Sequence, residues 1–113
     1  MTGDPPFSGF EDFWPFYVSQ HSKAATRLFH FAGTSGGMAI LAAAAVARRP
    51  ALAAAALVFA YGLAWFSHFA IEKNRPATFT HPWWSLRADF RMFRLMLAFR
   101  MTGEAKRLLA ART

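Results

Sequence analysis

Four histidines carry most of the chemistry available to this chain: His21, His30, His68 and His81. Neutral imidazole is the commonest protein ligand for divalent transition metals. With no cysteine present, any metal site here must be built from imidazole and carboxylate. The stretch "SHFAIEKNRPATFTHP" (67 to 82) sets His68 beside Glu72, Lys73, Asn74 and Arg75. His68 and Glu72 stand one helical turn apart, so both can address one site. The carboxylate there would either complete a metal shell or orient the second nitrogen of a ligand. Taken singly, a histidine at a helix end is more often a hydrogen-bonded interfacial residue than a ligand. The question is therefore whether the fold gathers the four.

Two segments decide that. "LFHFAGTSGGMAILAAAAVA" (28 to 47) and "ALAAAALVFAYGLAWFSHFAI" (51 to 71) contain no Asp, Glu, Lys or Arg. At 1.5 Å per residue each spans about 30 Å, the thickness of a bilayer hydrocarbon core. Only "RRP" separates them. Pro50 suits the first turn of a following helix, and Arg48 and Arg49 belong with water or headgroups. The expected fold is all-α, one domain over 1–113, built on an integral membrane hairpin of two helices at about 28–47 and 51–72. A soluble bundle is the competing reading, because alanine is only weakly apolar.

The hairpin aligns the histidines. Position 49 marks the turn, with His30 nineteen residues before it and His68 nineteen after it, which sets both about 28 Å from the turn in an antiparallel pair. His21 precedes the first span and His81 follows the second, on the same side. His30 shares a helical face with Gly33, Thr34 and Gly37, and the Gly33 to Gly37 spacing permits close helix approach, within the hairpin or between copies. On the second span Tyr61, Trp65, His68 and Glu72 follow one face.

Flanking helices are expected at about 10–21 and 83–101. In the first, Phe10, Phe13, Trp14, Tyr17 and His21 recur at helical spacing, with a possible capping box from Ser8 to Glu11; Pro15 would bend it unless it starts at Asp12. In the second, Leu86, Phe90, Phe93 and Leu97 form one stripe and Arg87, Arg91 and Arg94 another, as in a helix lying among headgroups or packed on the hairpin's end. "GEAKRLLAART" reads as a short polar helix or a frayed tail.

Charge points the same way. The chain carries 13 Lys and Arg against 6 Asp and Glu, and the cations flank the apolar runs, which suits a membrane surface better than a nucleic-acid groove. No nucleic-acid partner is expected. Two of the cations lie in the turn and 11 on the terminal side, so the termini should be cytoplasmic. "MTGDPPFSGFEDFW" lacks the basic and apolar regions of a cleaved leader.

"YVSQHSKAATRLFHFAGT", followed one hairpin later by "SHFAIEKNRPATFTHPWWSLRADFRM", resembles the family of small membrane proteins that includes the fungal 2-hydroxy fatty acid dioxygenase of phytosphingosine breakdown. The likeness runs from about Phe10 to Phe99 and is most specific in "HFAIEKNRPATF". It implies an Fe(II)- and O2-dependent enzyme that shortens a 2-hydroxy fatty acid by one carbon. His21, His30 and His68 match the family's histidine motifs, and Glu72, Asn74 and Arg75 the charged signature after them; His81 is the less secure fourth metal ligand. On that likeness Glu72 and Arg75 are catalytic candidates. Arg27, or Arg75, would neutralise the substrate carboxylate, and Asn74, Tyr61 and Trp65 would contact substrate along the aromatic, glycine-lined hairpin. The chain resembles the compact bacterial branch, which places it in a bacterial inner membrane. Two readings compete: a structural or lipid-binding membrane protein whose polar cluster only caps the hairpin, and a metal-binding membrane protein without a substrate slot.

Overall fold

The computed structural model describes residues 7–111. The first six residues of the stretch considered as a leader, and Arg112 among the terminal cations, lie outside the described residues. Among the described residues there are α-helices and no strand: α1 (Phe10–Ser19), α2 (Ala24–Ala47), α3 (Ala51–Phe66), α4 (Pro82–Leu97) and α5 (Met101–Ala111). α3 runs on without a break as a π-helical turn, Ser67–Glu72, and a 3-10 turn, Ala77–Phe79, precedes α4.

α2 and α3 form the expected hairpin. Arg48 ends α2 in the left-handed conformation, at φ 55°, and the Arg49 amide donates back to the Ala44 carbonyl over 2.9 Å. Pro50, at φ −60°, then opens α3. Its fixed φ suits a helix start, and its missing N–H would have had no partner there. Ala24–Ala47 and Ala51–Glu72 are each long and apolar enough to cross a membrane, and only 22% of either span's apolar window is buried within the molecule. Leu28, Leu41, Val46, Leu57, Val58, Phe66 and Phe69 face outward. So large an uncovered apolar surface calls for lipid, which disfavours the soluble bundle.

The Gly33 and Gly37 face is spent inside the hairpin. A Cβ on Gly33 would lie 2.9 Å from the Ala60 carbonyl oxygen, and one on Gly37 3.2 Å from the Ala60 Cβ. The surface considered for self-association is therefore already the α2–α3 seam. Replacing Gly33 by alanine should force the helices apart one turn from His30, costing about 1–3 kcal/mol as overpacking does. Denaturant unfolding in detergent micelles measures it; unchanged stability would mean the seam is loose.

The hydrophobic core lies outside the hairpin. Phe10, Phe13, Trp14, Tyr17 and Val18 of α1 pack with Ala77, with Ala88 and Met92 of α4, and with Met101 and Ala105 of α5. These elements make a helical cap over the hairpin's open end. Polar staples tie it together: Arg91 donates to both Glu11 oxygens over 3.0 and 2.6 Å, and Trp14 Nε1 donates to Glu104 over 2.8 Å.

Several expectations need correction. α1 starts at Phe10 behind Gly9, with no side-chain cap; the Ser8 amide instead donates to the Asp12 carboxylate, so there is no Ser8–Glu11 box. Pro15 sits inside α1, where it deletes one backbone bond. α2 begins at Ala24, earlier than position 28, and takes in Thr26 and Arg27. The helix expected at 83–101 is α4, which stops at Leu97; Phe99 turns left-handed at φ 58° and α5 begins at Met101. The C-terminal segment takes the helical one of its two expected forms, as α5, with Met101 and Ala105 in the core. On α4 the buried face is Ser85, Ala88 and Met92, while Leu86, Phe90 and Leu97 are exposed. The arginine stripe is divided too: Arg91 ties α4 to α1 and Arg87 covers the Phe10 ring, while Arg94 is exposed.

Candidate metal centre

His21, His30 and His68 meet where the hairpin enters the cap. All three are buried, and one nitrogen from each lies within 4.8 Å of the other two. The ring centroids are 4.4 Å apart for His21 and His30, 4.5 Å for His21 and His68, and 5.1 Å for His30 and His68. They arrive from three separate elements, and each is held differently.

His21 follows α1 in the turn that leads to α2. Its Nδ1 lies 2.7 Å from the Tyr17 carbonyl oxygen, which can only accept, so Nδ1 carries the proton. The ring stacks on Tyr17 at 4.1 Å. Burial, then the neighbouring His30 and His68, holds its pKa well below the ordinary imidazole value, leaving a neutral ring with a free Nε2 lone pair. His30 sits on α2 one turn from Gly33, where the close approach of α3 brings it level with His68. His68 lies in the π turn. Lys73 ends that turn at φ 62°, and the Asn74 amide donates to the His68 carbonyl over 2.9 Å. This reversal brings Asn74 Oδ1 to 2.7 Å from His68 Nδ1, while Asn74 Nδ2 donates to the Gln20 carbonyl over 3.2 Å. The amide oxygen accepts from Nδ1–H and frees Nε2 of His68.

His30 has an acidic partner that sequence reasoning missed. Asp89 Oδ1 stands 3.8 Å from His30 Nδ1, within ion-pair distance and short of a hydrogen bond. The buried Tyr17 hydroxyl donates to the same oxygen. Burial pushes the Asp89 carboxyl up to about 7, although the Tyr17 hydrogen bond acts in the opposite sense. The Tyr17 hydroxyl is itself raised well above its usual value by burial and by the Asp89 charge. On α4 Asp89 adjoins the buried face of Ser85, Ala88 and Met92.

The three rings thus share one design, with Nδ1 turned to an oxygen outside the cluster and Nε2 turned in. His21 Nε2 and His30 Nε2 are 3.2 Å apart. Two nitrogens bound to one ion at about 2.1 Å stand roughly 3.0–3.4 Å apart, by the bond lengths of metal-bound imidazole. The space lined by Tyr17, His21, His30, Tyr61, His68 and Asp89 is about 10 Å³, enough for one ion or water, and it adjoins a larger cavity. Outer partners that fix the tautomer are the usual support of metal-bound histidine. The donor set fits a divalent transition metal.

Not every expected residue joins it. His81 lies in the aromatic cap, stacked on Trp84 at 5.7 Å and 5.3 Å from both Phe7 and Phe13; its Nδ1 pairs with the Thr80 hydroxyl. Glu72 turns away from the ion space, towards the N-terminus of α2. Its carboxylate accepts from the Ser22 hydroxyl over 2.9 Å, the Lys23 amide over 2.6 Å and the Thr26 hydroxyl over 2.7 Å. Glu72 thus closes the N-terminus of α2 from across the hairpin, as an N-cap does from within. Glu72→Ala should lower stability by about 1–3 kcal/mol, the cost of losing charged hydrogen bonds, with metal content unchanged. A fall in metal content at undiminished stability would return Glu72 to the centre.

Arg27 is buried, and its Nη1 donates to the His21 carbonyl over 2.7 Å and to the Ser22 carbonyl over 3.0 Å. It fixes the turn that carries His21 and lines a different groove, beside Phe31 and Met96. Arg75 is exposed, 5.8 Å from the Phe79 ring centre. Among the described residues no arginine lines the ion space or the larger cavity beside it. Asn74 serves His68. Tyr61 and Trp65 do line the ion space, and Trp65 Nε1 and Ser85 Oγ are buried there without a hydrogen-bond partner.

A cavity of about 270 Å³ adjoins the ion space and shares His30, Tyr61, Ala64 and Asp89 with it. Its remaining walls come mostly from apolar and small residues of α2 and α3.

The model of the family described as "2-hydroxy-palmitic acid dioxygenase Mpo1-like" matches residues 7–101. The chain belongs to that Mpo1-like family. No curated protein and no solved structure matches it.

Proposed function

We propose that the protein is an Fe(II)-dependent dioxygenase that shortens 2-hydroxy fatty acids by one carbon at the membrane surface. The observation that carries this reading is the convergence of three buried imidazoles at the end of an apolar cavity sized for an aliphatic chain. The family description supports the reaction type, and the donor set supports iron as one of the metals imidazole suits.

His21, His30 and His68 would hold the ion, with Tyr17, Asp89 and Asn74 orienting them. Fe(II) supplies the activation of O2 when bound. The substrate's hydroxyl and carboxylate would sit at the ion. Trp65 Nε1–H and Ser85 Oγ, buried beside the ion space without partners, would be available to a polar atom that reaches the ion from the adjoining cavity. Low polarity around the site excludes bulk water and strengthens these contacts. One O2 per acid balances as the shortened acid, CO2 and water, with the bond between the carboxyl carbon and its neighbour broken. The hairpin would cross the membrane with Arg48 and Arg49 on the far side and the cap in the cytoplasm.

Purified protein loaded with Fe(II) is incubated with a 2-hydroxy fatty acid under air and followed by mass spectrometry. The acid one carbon shorter, with O2 consumed mole for mole, is expected. A protein that retains iron and yields no shortened acid would leave metal binding alone.

A further inference from the structure

We infer that the cleft between α2 and α3 is a chain-length ruler in which Met38 and Leu41 set how long an acyl chain the site accepts. This rests on the function proposed above and adds the specificity to it. The cavity starts at His30 and Asp89 and continues along one face of each helix. On α2 the face reads His30, Thr34, Met38 and Leu41; on α3 it runs back from Ala64 through Ala60 and Leu57 to Ala53. Eleven residues separate the ends on either helix, a length of about 16 Å that matches roughly a dozen methylenes in extended form. Gly37, Ala56 and Ala60 form a floor without bulky side chains, while Leu86 and Phe90 of α4 roof the end nearest the histidines.

The occupant is defined by what the two ends offer. One end meets His30 and Asp89 and adjoins the ion space that His21 and His68 complete, which favours a head able to chelate, such as adjacent hydroxyl and carboxylate groups. The other 16 Å offers almost no polar partner, so only an unbranched apolar chain gains by filling it. A phospholipid would place an ester and a glycerol at the histidines instead.

Met38 and Leu41 are 39% and 52% exposed, so a larger side chain at either position intrudes on the cleft without breaking the hairpin seam. Binding of 2-hydroxy acids of increasing chain length is measured by native mass spectrometry on the metal-loaded protein, for the natural chain and for Met38→Trp and Leu41→Trp. Affinity should rise about fourfold per methylene until the cleft is full and then level off. Leu41→Trp should bring that plateau about two to three carbons earlier and Met38→Trp about six, by their separation of three residues along α2. Leu57→Trp, on the more exposed opposite wall, repeats the test if either variant loses its metal. Plateaus that coincide in all variants, or a co-purified phospholipid that the acids fail to displace, overturn the ruler. The same acids are assayed for shortening. Graded plateaus without shortened product leave the ruler standing and refute the dioxygenase; shortened product with coincident plateaus does the reverse.

Discussion

His30→Ala and His68→Ala should each weaken metal binding at least about a hundredfold, while His81→Ala leaves it unchanged. Structural zinc sites with four ligands bind with about 10–16 kcal/mol, so a single ligand accounts for about 3 kcal/mol. The loss here should not fall below that, because the triad has no spare imidazole: His81 is held in the aromatic cap against Phe7, Phe13 and Trp84. The two variants leave different residues without a partner. His68→Ala frees the Asn74 amide that bridges to the Gln20 carbonyl, so it should also loosen the turn after α3. His30→Ala leaves Asp89 still bonded to Tyr17 and should disturb the fold less. Competition against a chelator of known affinity reads the first effect, and thermal unfolding in detergent the second. Wild-type metal affinity in His68→Ala would show that the three rings are packing partners only.

What sequence could and could not disclose divides along the type of information each element uses. The hairpin was legible because hydropathy is written residue by residue: two charge-free runs of membrane length joined by "RRP" admit few other folds. The meeting of His30 and His68 followed from counting to the turn. His21 also reached the cluster, through the aromatic face of α1. Glu72 and Asn74 were harder. The left-handed Lys73 folds Asn74 back to His68, Glu72 is taken up by Ser22, Lys23 and Thr26, and no periodicity encodes either. Asp89 was invisible for another reason. A lone acidic residue in an arginine-rich helix reads as a solvated charge, and only the packing of α4 on the hairpin places it beside His30. The break at Phe99 likewise depends on α5 docking against α1, since Met101 and Ala105 find their partners in Phe10, Trp14 and their neighbours.

The cap and the hairpin therefore divide the work of building the centre. The hairpin fixes depth, through Gly33 and Gly37 against Ala60, and supplies two imidazoles. The cap supplies the third through α1, and from α4 the carboxylate behind His30. Each half alone would present an incomplete, water-exposed set of ligands. Stability of the cap core should accordingly rise when metal binds, since an ion that joins His21 to His30 and His68 also joins α1 to the hairpin.

Asp89→Asn should lower metal affinity by about 10–100-fold, the range seen when a partner of a metal-bound histidine is lost, and should also flatten the pH dependence of binding. Without an ion, burial keeps the Asp89 carboxyl protonated up to about 7. A cation at the triad favours the carboxylate, so below that pH the ion's arrival must expel a proton. Affinity should then climb as pH rises towards about 7, by up to tenfold per unit for one proton, and level off above it once the carboxyl is ionised beforehand. In Asp89→Asn this contribution disappears. Tyr17→Phe separates the carboxylate's charge from its placement. The hydroxyl holds the Asp89 value down, so its removal raises that value and moves the bend in the affinity curve to higher pH, with Asp89 still present. Isothermal titration in buffers of different ionisation enthalpy counts the protons directly. A bend that moves to lower pH in Tyr17→Phe, or a proton count in Asp89→Asn equal to that of the natural chain, would show that the carboxylate does not act on the ion through His30.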